Sequence, residues 1–170
     1  MTTNTSVAMD ITIYRNQLKL DADIETRKAG YFQVDKEHPE ERNEAQMGLE
    51  DSDMRFFEGQ CQQGINDLLL VLHRFVEGCS GETTMTTDSN NRVENTKQWV
   101  ISLHFDSRRH IITRSLASLC HKYVLMHVLQ AWAMMTMPNL VAGYTEQMTK
   151  AESAILQMVY RKEPPTLQPD

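Results

Sequence analysis

Apolar residues recur at helical spacing through a long stretch after residue 50. Steps of three and four residues join Met54, Phe57, Cys61, Ile65, Leu68, Leu72 and Phe75. This stripe predicts a helix over residues 51–77 with one buried face. Asp51 and Asp53 suit its N-terminus, and Gly78 is typical of the residue that follows a helix.

Two further helices are predicted in the C-terminal part of the chain, over residues 107–136 and 139–160. The first carries two adjacent apolar stripes, which is typical of the central helix of a domain. The second repeats apolar residues at steps of three and four from Val141 to Met158. Because the connection around Pro138 is short, the two helices are expected to form an antiparallel hairpin.

Two segments alternate apolar and polar residues, as half-buried strands do. Residues 98–105 place four apolar side chains on one face, namely Trp99, Ile101, Leu103 and Phe105. Asp10–Tyr14 alternates in the same way and is the expected pairing partner. The alternative is that either segment adds to the sheet of another subunit.

The resulting fold prediction is mainly α: a three-helix core with a short strand or small β-pairing. The core domain covers residues 51–162, and it includes a long polar loop at 78–97. Residues 1–50 are predicted to be an extended or irregular arm with at most one short helix, and residues 163–170 a C-terminal tail. Loops as long as 78–97 are typically functional or disordered.

Charge and composition exclude several classes of protein. The net charge is −6 and the pI is near 5.5, so a DNA-binding surface that covers the whole domain is not expected. The longest apolar run, 123–144, contains Pro138 and Asn139, so no membrane span is expected. No signal peptide is expected either. Three cysteines without a CxxC motif indicate reduced thiols, with Cys61 and Cys120 as small core residues.

No familiar catalytic, metal or cofactor motif occurs in the sequence, so no such site is expected and the protein is predicted not to be an enzyme. The six histidines lack the spacing of metal ligands and are interpreted as surface or structural residues. Cys61 and His73 are twelve residues apart, about 18 Å along a helix, which excludes a Cys–His dyad between them.

One basic patch opens the predicted second helix, with Arg108, Arg109 and Arg114. These side chains are candidates for contact with DNA phosphates or an acidic partner. The alternative is a solvated helix start with local salt bridges. Arginines at a helix N-terminus oppose the helix dipole, which favours a role in interaction.

Methionine is abundant, with 11 residues, and many of them lie in the predicted hairpin. Methionine adapts both to irregular cores and to binding surfaces. Because three helices cannot cover all this apolar surface, part of it is expected to face a neighbouring subunit. The candidates are Met126, Trp132, Met134 and Met135, and the alternative is that these side chains are core.

Scattered positions in the last 65 residues resemble the head–tail connector, or neck adaptor, proteins of tailed phages and prophages. The similar positions are Phe105-Asp106, Ile111-Ile112, Tyr123-Val124-Leu125, Leu129–Trp132, Pro138, Tyr144, Ala151-Glu152, Ile155-Leu156 and Arg161–Pro164. The resemblance covers about 40% of the 170 residues. It implies a helical core with arms, no catalytic residues, and assembly as a ring between portal and tail.

The function expected from this resemblance is that of a structural subunit of the virion, made in the cytoplasm of the bacterial host. Its expected partners are other copies of itself, portal and tail proteins, and non-specifically the DNA that passes through the ring. No membrane is expected among the partners. The alternative is a cellular helical adaptor or regulatory module that docks through the arginines or the Met-rich hairpin.

Overall fold

The fold is a small antiparallel sheet packed on a group of helices, described here from a computed structural model for residues 6–33, 51–81, 86–87, 93–94, 98–106 and 113–161. The elements are β1 (Ser6–Tyr14), α1 (Arg15–Gln33), α2 (Asp51–Val71), β2 (Val76–Ser80), β3 (Thr86–Thr87), β4 (Val93–Glu94), β5 (Gln98–Asp106), α3 (Thr113–Thr136), a 3-10 turn (Pro138–Leu140) and α4 (Val141–Tyr160). The prediction of a mainly α fold is confirmed.

The three-stranded sheet has the order β1-β5-β2, and both pairings are antiparallel. In β1, Ile11 lies opposite Ile101 and Ile13 lies opposite Trp99. All four of these side chains are buried, because alternate residues of both strands face the helices. The predicted pairing of residues 10–14 with 99–105 is therefore confirmed, and it forms within the chain.

Helix α3 is the central helix. It packs against α4, α2, α1 and β1, and ten of its residues are buried. The predicted antiparallel hairpin with α4 is confirmed: Gln130 Nε2 donates to Thr145 Oγ1 across it at 2.7 Å. On the other side, Gly64 allows α2 to approach closely, since a Cβ there would lie 3.3 Å from the side chains of His127 and Val124.

The expectation of an irregular arm is wrong for residues 6–33, which form β1 and α1. Helix α1 buries Leu18, Ala22 and Thr26, spaced by four residues. The periodicity is obscured in the sequence because one buried position is polar and because Leu20 and Ile24 are exposed on another face. Residues 34–50 and the tail beyond residue 161 lie outside the described residues.

The predicted helix over 51–77 is also too long. Helix α2 ends at Val71, and residues 72–75 form a turn that leads into β2. The reason is the second edge of β5, whose backbone groups need a partner: the His104 amide donates to the Phe75 carbonyl oxygen at 2.7 Å. The predicted loop 78–97 accordingly begins inside β2, and it contains the short β3–β4 pairing. Most of the loop, and residues 107–112 of the predicted second helix, are outside the described residues.

Gly81 ends β2 in a conformation that other residues rarely adopt, with φ +98°. A Cβ there would lie 2.3 Å from the Gln98 carbonyl oxygen. We expect Gly81→Ala to lower the free energy of unfolding by about 1–3 kcal/mol, measured by urea denaturation. Gly78→Ala in the same strand is the control, because nothing lies within 4 Å of its added Cβ. Equal losses in the two variants would contradict this prediction.

Candidate functional site: two ends of the helical hairpin

The antiparallel register of α3 and α4 places Arg114 level with Arg161 at one end of the hairpin. The Gln130–Thr145 hydrogen bond fixes this register. In an antiparallel pair, residues at the same height have a constant sum of residue numbers, here 275, and Arg114 and Arg161 give the same sum. Both arginines are exposed. Helices packed in this way have axes about 8–10 Å apart, so the two arginines lie at the same end of the hairpin.

A third arginine reaches the same end from α2. Arg74 is exposed in the turn after that helix, beside Phe75. The Phe75 ring contacts the ring of Tyr160, with centroids 5.2 Å apart, and Arg161 follows Tyr160 directly. We call this surface, formed by Arg74, Arg114 and Arg161, the arginine end. Its three arginines make no ion pair with any of the described residues.

The one predicted basic residue that the structure describes, Arg114, is therefore part of a larger group. Arg108 and Arg109 lie outside the described residues. The sequence analysis did not group Arg74 and Arg161 with it, because Arg74 lay inside the predicted helix over 51–77 and Arg161 lay beyond the end of the last predicted helix. The signal that would have found Arg161 is the register of the hairpin.

The opposite end of the hairpin is apolar. Met134 and Met135, in the last turn of α3, are 58% and 62% exposed. We call this pair the methionine end. Both positions agree with the prediction of an apolar surface free to meet a neighbour.

The other two predicted interface residues are wrong. Met126 is 6% exposed and Trp132 is 3% exposed, and both belong to the core of this chain. They are covered because α3 is the central helix, with other elements packed around it. Neither side chain is available to a second subunit.

Between the two ends, histidines join the elements. His104 Nδ1 lies 2.7 Å from Glu77 Oε1, linking β5 to β2. On α3, His121 Nε2 lies 2.8 Å from Asp21 Oδ2 of α1. His127, also on α3, lies 3.5 Å from an Asp67 oxygen on α2. Burial lowers the pKa of His127.

All three histidines thus lie close to a carboxylate of a neighbouring element. His73 is also satisfied, through its contact with the Leu70 carbonyl oxygen at 2.8 Å. No group of three His, Cys, Asp or Glu residues among those described is arranged to hold a metal ion.

A buried ion pair links α1 to α2. Arg15 Nε donates to Glu58 Oε1, and Glu58 is 1% exposed. Burial raises the pKa of this carboxyl, and Arg15 opposes the rise. Its other oxygen, Oε2, has no hydrogen-bond partner among the residues that the structure describes. The site is closed to solvent, so this pair holds the two helices together.

The thiols Cys61 and Cys120 are buried, as predicted, and neither forms a disulfide. Burial raises the pKa of Cys61 far above its ordinary value and that of Cys120 to about 12. Both thiols stay protonated at neutral pH, whereas the reactive form of cysteine is the thiolate. Cys61 is therefore a packing residue and not a nucleophile.

Thiol labelling tests this difference. In the native protein we expect Ellman's reagent to react quickly with one thiol, the half-buried Cys79, and with Cys61 and Cys120 only after denaturation. The measurement is the absorbance burst at pH 8 with and without urea. The control is Cys79→Ser, which should show no fast phase. A fast phase that persists in Cys79→Ser would contradict the prediction.

Comparison of the chain with protein-family models, curated proteins and solved structures gave no match. In the described part of the chain, none of the helices has the length and apolar character needed to cross a membrane.

Proposed function

We propose that this protein is a non-enzymatic structural subunit of a phage particle, a head–tail connector that joins portal to tail. In this proposal copies of the chain form a ring, and the ring binds different proteins above and below. The subunit is made in the cytoplasm of the bacterial host and resides in the virion. The resemblance of the last 65 residues to neck adaptors supports the choice of particle.

The observation that carries the proposal is the different chemistry of the two ends of the hairpin. The arginine end and the methionine end are separated by the 20 residues from Arg114 to Met134, about 30 Å along α3. A ring subunit meets unlike neighbours, either other copies of itself or different proteins, and so needs unlike contact surfaces. The hairpin provides two of them here. Contacts between unlike surfaces also close into rings.

The first test is the size of the assembly. We expect the purified protein, alone or mixed with the products of neighbouring genes, to form a closed oligomer in multi-angle light scattering and a ring in negative-stain electron microscopy. Strictly monomeric protein under all these conditions would overturn the proposal. Capture of a cellular protein, with no portal or tail gene nearby, would replace it with the adaptor function.

The second test concerns the methionine end. We expect Met134→Glu/Met135→Glu to abolish binding to one neighbouring protein in a pull-down, because two charges then replace an exposed apolar contact. The matched control is Leu20→Glu/Ile24→Glu, which changes two exposed apolar residues on α1. Circular dichroism should be unchanged in both variants. Equal binding by the two variants would exclude the methionine end as a contact surface.

A further inference from the structure

The arginine end is a concentrated positive surface on a negative protein. The whole chain carries a net charge of −6, yet three arginines from three different elements meet here. Three cations elsewhere in the described residues are paired within the chain: Arg15 with Glu58, Lys28 with Glu25 and Lys150 with Glu146. The arginines of this end make no such pair with the described residues.

A carboxylate close to Arg74 in the sequence is engaged elsewhere. Glu77 lies three residues after Arg74, but its oxygen faces His104 at 2.7 Å. Exposed, unpaired guanidinium groups are well suited to carboxylates, since the planar fork of arginine can bind both oxygens. The surface is therefore complementary to an acidic polypeptide.

This chain contains such a polypeptide. Residues 35–50 include six acidic residues, Asp35, Glu37, Glu40, Glu41, Glu44 and Glu50, against Lys36 and Arg42, a net charge of −4. We propose that this acidic segment, contributed by a second copy of the chain, binds the arginine end. The inference rests on the proposed function, because it names the contact through which subunits join head to tail.

Chain length favours a second copy over the same copy. The acidic segment is attached to α2 at Asp51, and Arg74 lies beyond the other end of that 21-residue helix, about 31 Å away. Seven residues separate Glu44 from Asp51, and they span at most about 25 Å. Glu41 reaches about 35 Å when fully extended.

Asp35 and Glu37 are farther from Asp51, but they lie two and four residues from Gln33, the end of α1. Helix α1 runs away from Arg114, because Asp21 contacts His121 and Glu25 lies near Tyr144 at the other half of the hairpin. The acidic residues therefore reach the arginines of their own chain at most under full extension, whereas a neighbouring copy has no such limit.

The experiment uses charge reversal at both surfaces. One variant is Arg74→Glu/Arg114→Glu/Arg161→Glu, and the other is Glu40→Lys/Glu41→Lys/Glu44→Lys. The control is Arg27→Glu/Arg55→Glu/Lys150→Glu. It changes the net charge by the same amount as the arginine variant, at exposed positions away from the arginine end. Sedimentation velocity measures self-association over a concentration series.

We expect each of the first two variants to weaken self-association about 10- to 100-fold, and the control to stay within about threefold of the wild type. A mixture of the two variants should assemble again as an oligomer in which the two variants alternate in a 1:1 ratio, because each reversed end then meets a reversed segment and each unchanged end an unchanged segment. The chain that carries all six changes at the two surfaces should recover assembly. Association of the wild type should weaken when salt rises from 0.1 to 1 M, where the screening length falls from about 10 to about 3 Å.

Four outcomes would overturn this inference. Assembly that survives the arginine reversal would reject it and leave the connector proposal intact, whereas a wild type that never assembles would reject both. Absence of a mixed 1:1 oligomer in the mixture would reject docking of the segment on a second copy. Salt-dependent binding of the wild type to duplex DNA that the arginine reversal abolishes, with assembly unchanged, would assign the surface to phosphates instead.

Discussion

Arg15→Met is expected to lower the free energy of unfolding by about 3–5 kcal/mol. The loss arises at Glu58, which is almost fully buried and whose charge is hydrogen-bonded by Arg15. Without the guanidinium group, a carboxylate remains in the interior without the hydrogen bond that stabilises its charge. The control is Arg27→Met on the same helix, an exposed position where a change within about 0.5 kcal/mol is expected.

The pH dependence separates this cause from a simple loss of packing. Burial already raises the pKa of Glu58 above its ordinary 4.5, and removal of Arg15 should raise it further. The native state then binds more protons than the unfolded state in the range above pH 4.5, so stability falls as pH rises. The deficit of Arg15→Met should therefore be largest at pH 7 and smaller near pH 4.5. An equal deficit at both pH values would contradict the explanation.

Two further variants test the roles of the two charges of the Arg15–Glu58 pair. In Arg15→Met/Glu58→Leu both charges are replaced by apolar groups, and we expect most of the stability to return. In Glu58→Gln the carboxyl no longer titrates, so the contribution of Glu58 to the fall of stability expected for the wild type above pH 4.5 should disappear. Urea denaturation at several pH values measures both effects.

Trp99→Ala is expected to cost about 3–5 kcal/mol. Trp99 lies on the central strand of the sheet, opposite Ile13, and is fully buried. Its indole Nε1 donates to Gln62 Oε1 of α2 at 3.2 Å. The side chain thus joins sheet and helix, and alanine would leave a cavity between them.

The matched control is Val100→Ala, the next residue of the strand, which faces the other side of the sheet and is half-buried. We expect a loss below about 1 kcal/mol there. Trp99→Phe keeps an aromatic ring but removes the indole N–H donor. Its loss of unfolding free energy should lie between those of Trp99→Ala and Val100→Ala. Fluorescence of Trp132, the second tryptophan of the chain, follows unfolding in all three variants. A loss in Trp99→Ala no larger than in Val100→Ala would exclude Trp99 as the link.

The sequence was sufficient for elements whose apolar pattern is undisturbed, such as the α3–α4 hairpin and the inward face of β5. It was insufficient for α1, because the buried stripe includes Thr26 and the exposed face carries Leu20. It was also insufficient for β2, where helical spacing continues through Phe75 although β5 needs a strand partner. In each case a tertiary contact outweighs the local pattern.

The candidate surfaces show the same limit. Exposure of Met134 and Met135 could be anticipated from their place at the end of a helix, but burial of Trp132 depends on which elements surround α3. Arg114 was recognised from its neighbours in the chain. Arg74 and Arg161 join it only through the hairpin register and the Phe75–Tyr160 contact, which are not local properties of the sequence.

The order of the sheet has a consequence for synthesis of the protein. Strand β1 is the first described element to be made, but its only partner in the described sheet is β5, and Tyr14 pairs with Gln98, 84 residues later. At about 5–20 residues per second, a ribosome needs about 4–17 s to supply that partner. During this time Ile11 and Ile13 have no sheet to join. A nascent chain arrested before residue 98 should therefore bind chaperones through β1, and one that extends well past residue 106 should release them.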